Sequence, residues 1–213
     1  MSAKETRMDY GTLPALEQVQ RTVEAVNRRG IRAELVETKE VALERVEALI
    51  PPGCVVMTGS SVTLQQIGFE DMLIRGEHPW RNFKADLLAE KDPAKQSTMR
   101  RQGTLAEFFL GSVNALAETG ELVFASGSGS QLPAYAYTSR NVIWVVGTQK
   151  ITPTLEDALQ RVREYVLPLE DQRQKSLGNP AGSRINRILI VEGEPAYLRR
   201  NLSLILVHQV LGF

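Results

Sequence analysis

Apolar positions along the chain fall into two spacings. Leu13, Leu16, Val19, Val23 and Val26 recur at three or four residues after Thr12, which predicts a helix capped at Thr12 and ended at Gly30. Ile31 to Val36 reads as a short strand, and Thr38 caps a second helix through Val41, Leu43, Val46 and Ile50. That helix must end at Pro51-Pro52-Gly53, because proline has no N–H to continue it. Cys54 to Thr58 is an apolar strand, and Gly59-Ser60-Ser61 turns out of it into a helical stretch from Val62 to Ile74. The opening order is helix, strand, helix, strand, helix.

From Arg75 to Gln102 the pattern turns polar, with His78-Pro79-Trp80, Asp92-Pro93 and Arg100-Arg101, and reads as short helices or a surface excursion. Leu110 to Ala117 and Glu121 to Ala125 flank Thr119-Gly120 and predict a β-hairpin whose strands feed one sheet. Ser126 to Ser130 follows as a small polar loop, then a helical-looking Leu132 to Tyr137. Val142 to Val146 is a continuous apolar strand of the kind buried on both faces. Thr152-Pro153 fits a cap followed by a proline at the first helical position, and Leu155, Leu159, Val162 and Val166 form the buried stripe, which Leu167-Pro168 interrupts or ends. After a polar connection from Gln172 to Ser183, Ile188 to Val191 and Leu204 to Val207 are two last strands, with Glu192-Gly193-Glu194-Pro195 as the turn between. Strands and helices alternating in this way predict an α/β fold with a mixed, largely parallel sheet flanked by helices. The expectation is a single domain, 1–213, with a polar helical excursion around 75–105.

Composition narrows the function. Lys and Arg number 25 against 25 Asp and Glu, so no global field gathers nucleic acid or anionic lipid, and neither is an expected partner. Met1 to Tyr10 is charged and lacks an apolar leader, and no later run has the length of a membrane span, so a cytoplasmic location is expected. The single cysteine, Cys54, cannot supply a four-thiolate site, and His78 and His208 have no ligand partner at helical spacing. The expectation is no intrinsic metal or iron–sulfur cluster, and the pattern names no other cofactor. Cys54 itself, at the start of an apolar strand, reads as a small buried hydrophobe rather than a nucleophile.

Two loops are candidates for an anion site. Gly59-Ser60-Ser61 leads into a helix through Thr63 and offers backbone N–H groups and hydroxyls, although it has neither P-loop nor dinucleotide spacing. Gly127-Ser128-Gly129-Ser130-Gln131 has the backbone freedom to wrap a phosphate. Both follow strands, where ligands bind in open α/β sheets, so one crevice could join them. The alternatives are a plain capped turn and a surface linker. Glu118, at the hairpin turn, and Lys150, after the buried strand, are the candidate catalytic groups, each otherwise an ordinary solvated residue.

The run Leu110-Gly111-Ser112-Val113-Asn114-Ala115, then Glu118-Thr119-Gly120-Glu121-Leu122-Val123, resembles the lactate-utilization-domain (LUD) family. The likeness continues through Gly127 to Gln131, Ala134-Tyr135-Ala136-Tyr137, Val145 to Ile151, Tyr165 to Glu170 and Leu211-Gly212-Phe213, and Thr58 to Leu64 looks like that family's first glycine–serine turn. The resemblance implies the fold shared by ribose-5-phosphate isomerase and the CoA transferases, and a role in oxidising lactate to pyruvate beside an iron–sulfur partner protein. With one cysteine, this chain resembles the cluster-free members. The expected function is therefore a non-redox, ligand-binding accessory subunit for a small anion such as phosphate, nucleotide or CoA. The alternatives are a stand-alone phosphosugar isomerase and a CoA-transferase-like enzyme, because Glu118-Thr119-Gly120 loosely resembles the Glu-Asn-Gly context of the transferase glutamate, departing from it at Thr119.

Overall fold

A computed structural model describes residues 9–213; the charged start, 1–8, lies outside them. In chain order the elements are α1 (Leu16–Arg28), β1 (Arg32–Val36), α2 (Lys39–Leu49), β2 (Val55–Thr58), α3 (Val62–Gln66), α4 (Phe69–Arg75), β3 (Arg81–Asn82), α5 (Phe83–Ala89) and α6 (Pro93–Gln102). There follow β4 (Phe108–Gly111), β5 (Ala115–Ala117), β6 (Leu122–Ser126), β7 (Asn141–Gly147), β8 (Ile151–Thr152), α7 (Leu155–Arg161), α8 (Leu167–Ser176), β9 (Arg187–Val191) and β10 (Asn201–Val207). A six-stranded sheet in the order β1-β10-β7-β4-β2-β3 is parallel throughout. A smaller four-stranded sheet, β8-β5-β6-β9, is mixed.

The apolar strands behave as their sequences require. Val142, Trp144 and Val146 of β7 enter one core cluster with Leu202, Leu204 and Leu206 of β10, while Ile143 and Val145 enter the opposite cluster with Ile205 and Val207. Side chains alternate across a strand, so an unbroken apolar run is stable only where both faces are covered. The helix α1 supplies Val19 and Val26 to the first face, and α2, α3 and α4 supply Val46, Leu64 and Phe69 to the second. Among the described residues no helix is long and apolar enough to cross a membrane.

Several boundaries differ from the sequence reading, each for a physical reason. Thr12 does not cap α1, because its hydroxyl donates to Asp9 at 2.6 Å, and the helix opens after Ala15. The stretch from Val62 to Ile74 divides into α3 and α4 at Gly68, whose φ of 84° a helix cannot continue. The cap before α7 is Thr154 rather than Thr152, since Asp157 completes a reciprocal capping box with it. Of the two outcomes open at Leu167-Pro168, the structure takes the interruption: Val162–Val166 winds as a π turn in which the Leu167 N–H bonds the Val162 carbonyl, and this wider turn makes room for the proline ring. Leu132 to Tyr137 likewise becomes a π turn at Ala134–Thr138.

The strands expected to feed one sheet feed two. β5 and β6 do form the hairpin, but β4, two residues beyond which the chain bends away, belongs to the large sheet. The last two strands also part company, β9 pairing with β6 and β10 lying between β1 and β7. Short apolar runs specify burial but not which neighbour supplies it.

Candidate functional site

Because β10, β7, β4 and β2 are parallel neighbours, their carboxyl ends emerge on one side of the sheet. Gly59-Ser60-Ser61 leaves β2 there, Ser112-Val113-Asn114 leaves β4, Thr148-Gln149-Lys150 leaves β7 and the chain to Gly212 leaves β10. These segments, with the loop after β6, enclose a crevice of about 750 Å³. Gly59, Ser60, Ser61, Thr63, Gly127, Ser128, Ser130, Gln131 and Lys150 all line it. Gly129 does not line it and instead shapes the loop: its φ is 77° and its N–H donates to Ser126 Oγ at 2.9 Å.

Each loop is held by its own bonds. Ser61 Oγ accepts from the Leu64 N–H, capping α3, and Lys84 Nζ donates both to the Gly59 carbonyl at 3.2 Å and to Glu70 at 3.0 Å. Ser128 Oγ donates to Ser130 Oγ at 3.0 Å. Arg173, from α8, donates to Ser60 Oγ at 3.5 Å and is paired with Glu170 at 2.7 Å. Arg184 lies on the same rim.

Lys150 is 2% exposed yet contributes to the crevice lining. Its Nζ donates to Thr63 Oγ1 at 3.1 Å, Ser112 Oγ at 3.1 Å and the Val113 carbonyl at 3.2 Å. Among the described residues no carboxylate pairs with it. Burial, reinforced by the Arg161 guanidinium, lowers its proton affinity to about 7 from an ordinary 10.5. Arg161 is itself fully buried between the rings of Tyr10 and Tyr165, 5.7 and 5.0 Å from its Cζ, and donates to the Asn114 carbonyl. Its Nε and Nη2 have no hydrogen-bond partner.

Tyr135 completes the wall. It is 4% exposed and packs against Phe109, Phe124 and Trp144, while its hydroxyl lies over Gly111 and beside Gly59. Burial pushes its phenol well above the ordinary value, so it stays protonated. The turn that carries it is fixed by Arg200, which donates to the carbonyls of Ala134, Tyr135, Ala136 and Ser139.

Glu118, expected beside the crevice, lies elsewhere. It is not part of the crevice: its carboxylate accepts from Arg21 at 2.7 Å and from Gln18 at 3.2 Å, both on α1. The hairpin belongs to the smaller sheet, and its turn points toward α1 and away from the carboxyl ends of the parallel strands. The CoA-transferase-like reading thereby loses its nucleophile. Cys54 is also outside the crevice, its thiol pushed up by burial and by Glu107. Among the described residues no group of three or more His, Cys, Asp or Glu is placed to hold a metal ion.

Ser112, Tyr135, Arg161 and Arg173 join the site without being among the candidates read from the sequence. Ser112 and Tyr135 matter through neighbours far away in the chain. Arg161 was detectable, since it interrupts the buried face formed by Ala158 and Val162.

A family model described as LUD domain matches residues 19–181. No curated protein is significantly similar to the chain in sequence. Among solved structures, a DUF162 family protein from Deinococcus radiodurans is similar in fold, with a TM-score of 0.51 at 13% identity, covering 92% of this chain and 99% of that one.

Proposed function

The chain belongs to the LUD-domain family, and from that premise we propose that it serves lactate utilization as a non-redox subunit that holds a small anionic ligand in the crevice. The observation that carries this reading is the Lys150 ammonium, buried at the crevice and answered by two hydroxyls and a carbonyl rather than by a carboxylate. An uncompensated buried charge is costly, and an anion is the species that relieves it. Ser112 Oγ and Thr63 Oγ1 accept from Nζ and direct their own O–H groups to the Val113 and Leu211 carbonyls at 3.4 and 3.5 Å, long bonds that an anionic ligand's oxygens would replace. Arg184 adds charge at the rim, Arg173 there being answered by Glu170, and the serines of the two loops add donors.

Electron transfer in such a system falls to an iron–sulfur partner, because one cysteine cannot ligate a cluster by four thiolates. The test is thermal shift and calorimetry with L-lactate, pyruvate, phosphate, nucleotides and CoA on the intact chain. The expected outcome is stabilisation by at least one of them, with affinity falling tenfold or more in Lys150→Ala. No shift with any anion, or unchanged affinity in that variant, overturns the reading.

A further inference from the structure

We propose that Lys150 is a nucleophilic amine and that the crevice captures a small 2-oxo acid as an imine on its Nζ. The inference rests on the anion-site reading above and deepens it. The partners of Nζ suit a neutral amine as well as an ammonium. Val113 offers only a carbonyl acceptor, but Thr63 and Ser112 are hydroxyls that accept from an ammonium or turn to donate to a free lone pair. A carboxylate partner would lock the charged form, and none is present among the described residues. Desolvation and a neighbouring cation are the two means by which a lysine is activated, and both act here, leaving a large share of the amine neutral near pH 7.

The same wall carries a proton donor. Tyr135 is nine-tenths buried and protonated, and no other described side chain or backbone group hydrogen-bonds its hydroxyl, which lies against Gly111, the residue before Ser112. In the reaction Nζ forms a bond to C2 of the 2-oxo acid as the carbonyl π pair moves to oxygen. The two protons that the amine gives up pass to that oxygen through the Tyr135 and Ser112 hydroxyls, and it departs as water. Nothing is oxidised or reduced. The carboxylate next to C2 matches the cationic, hydroxyl-rich surround, which distinguishes a 2-oxo acid from an uncharged aldehyde.

The experiment incubates the full chain with pyruvate, 2-oxobutyrate, 2-oxoglutarate or phenylpyruvate in the presence of sodium cyanoborohydride, followed by intact-mass and peptide mapping. The expected result is one reduced adduct per chain on Lys150, absent in Lys150→Arg and formed at least tenfold more slowly in Tyr135→Phe, with both variants shown folded by circular dichroism. L-lactate, which has no carbonyl, gives no adduct. Failure of every 2-oxo acid to label Lys150, or labelling spread over surface lysines, overturns the proposal. Thermal shifts under the same conditions separate the two readings: stabilisation without an adduct leaves the anion site standing and removes the imine, whereas neither stabilisation nor adduct removes both.

Discussion

The hydroxyl of Tyr135 occupies the space that a side chain at Gly111 would need: a Cβ there would stand 1.9 Å from the Tyr135 oxygen and 2.9 Å from its Cζ. Gly111 ends β4 one residue before Ser112, which lines the crevice, so the absence of a side chain at that position is what admits the phenol to the wall.

Gly111→Ala is therefore expected to destabilise the fold by about 1–3 kcal/mol, the usual cost of overpacking, and to weaken ligand binding by displacing Tyr135. Tyr135→Phe removes the closer of the two clashing atoms, so the double variant should recover part of the lost stability. Denaturant unfolding of the four proteins in a double-mutant cycle measures this. Strict additivity would show that the two positions do not meet.

Lys150 gives stability a pH dependence. Its amine titrates near 10.5 when unfolded and near 7 when folded, so between those values the unfolded chain holds the extra proton and stability rises with pH. The slope approaches about 1.4 kcal/mol per pH unit, and below pH 7 the folded protein carries the buried charge in full. The charged groups around it are Arg161 behind it and, on the crevice, the Glu170–Arg173 pair and Arg184. Lys150→Met should flatten the profile over that range, as read from urea unfolding. An unchanged slope in this variant would assign the dependence elsewhere.

Arg200 is a buried link between Glu194 and the turn that carries Tyr135, the two side chains being 5% and 7% exposed and 3.2 Å apart. Arg200→Met strands the Glu194 carboxylate and four carbonyls, and is expected to cost roughly 3–5 kcal/mol. Glu194→Gln keeps a polar partner and should cost less. Equal, small losses in both, measured by chemical denaturation, would mean that the turn holds itself.

Glu118 and Arg21 form an ion pair whose side chains are 25% and 62% exposed. Glu118→Gln should change stability by no more than about 1 kcal/mol and leave ligand affinity and any Lys150 adduct intact. Loss of binding in this variant would return Glu118 to the site.

Local periodicity and punctuation made much of the fold legible. The Thr38 cap, the stop at Pro51, the buried strands β7 and β10 and the short helices between Arg75 and Gln102 follow from residues that interact within a few positions of one another. The two glycine–serine loops were also visible, because small polar residues between apolar runs mark loops whatever the fold. Where two local rules competed, sequence left the outcome open or missed it: Leu167-Pro168 interrupts the helix through a π turn instead of ending it, and at Thr152 a second threonine offers a reciprocal cap.

Local pattern is enough for an α/β chain, the strands that must be covered on both faces, two candidate loops and a lysine just after a buried strand. What these pieces do together depends on how the sheet is assembled. Lys150 meets Thr63 across 87 residues and Ser112 across 38, contacts that no spacing rule reaches because they depend on the order of strands in the sheet. Strand order also sent Glu118 to α1, and burial gave Lys150 the proton affinity that distinguishes it from a surface lysine. Secondary structure follows from neighbours in the chain, whereas charge state and convergence follow from neighbours in space, which are fixed only when the whole sheet has formed.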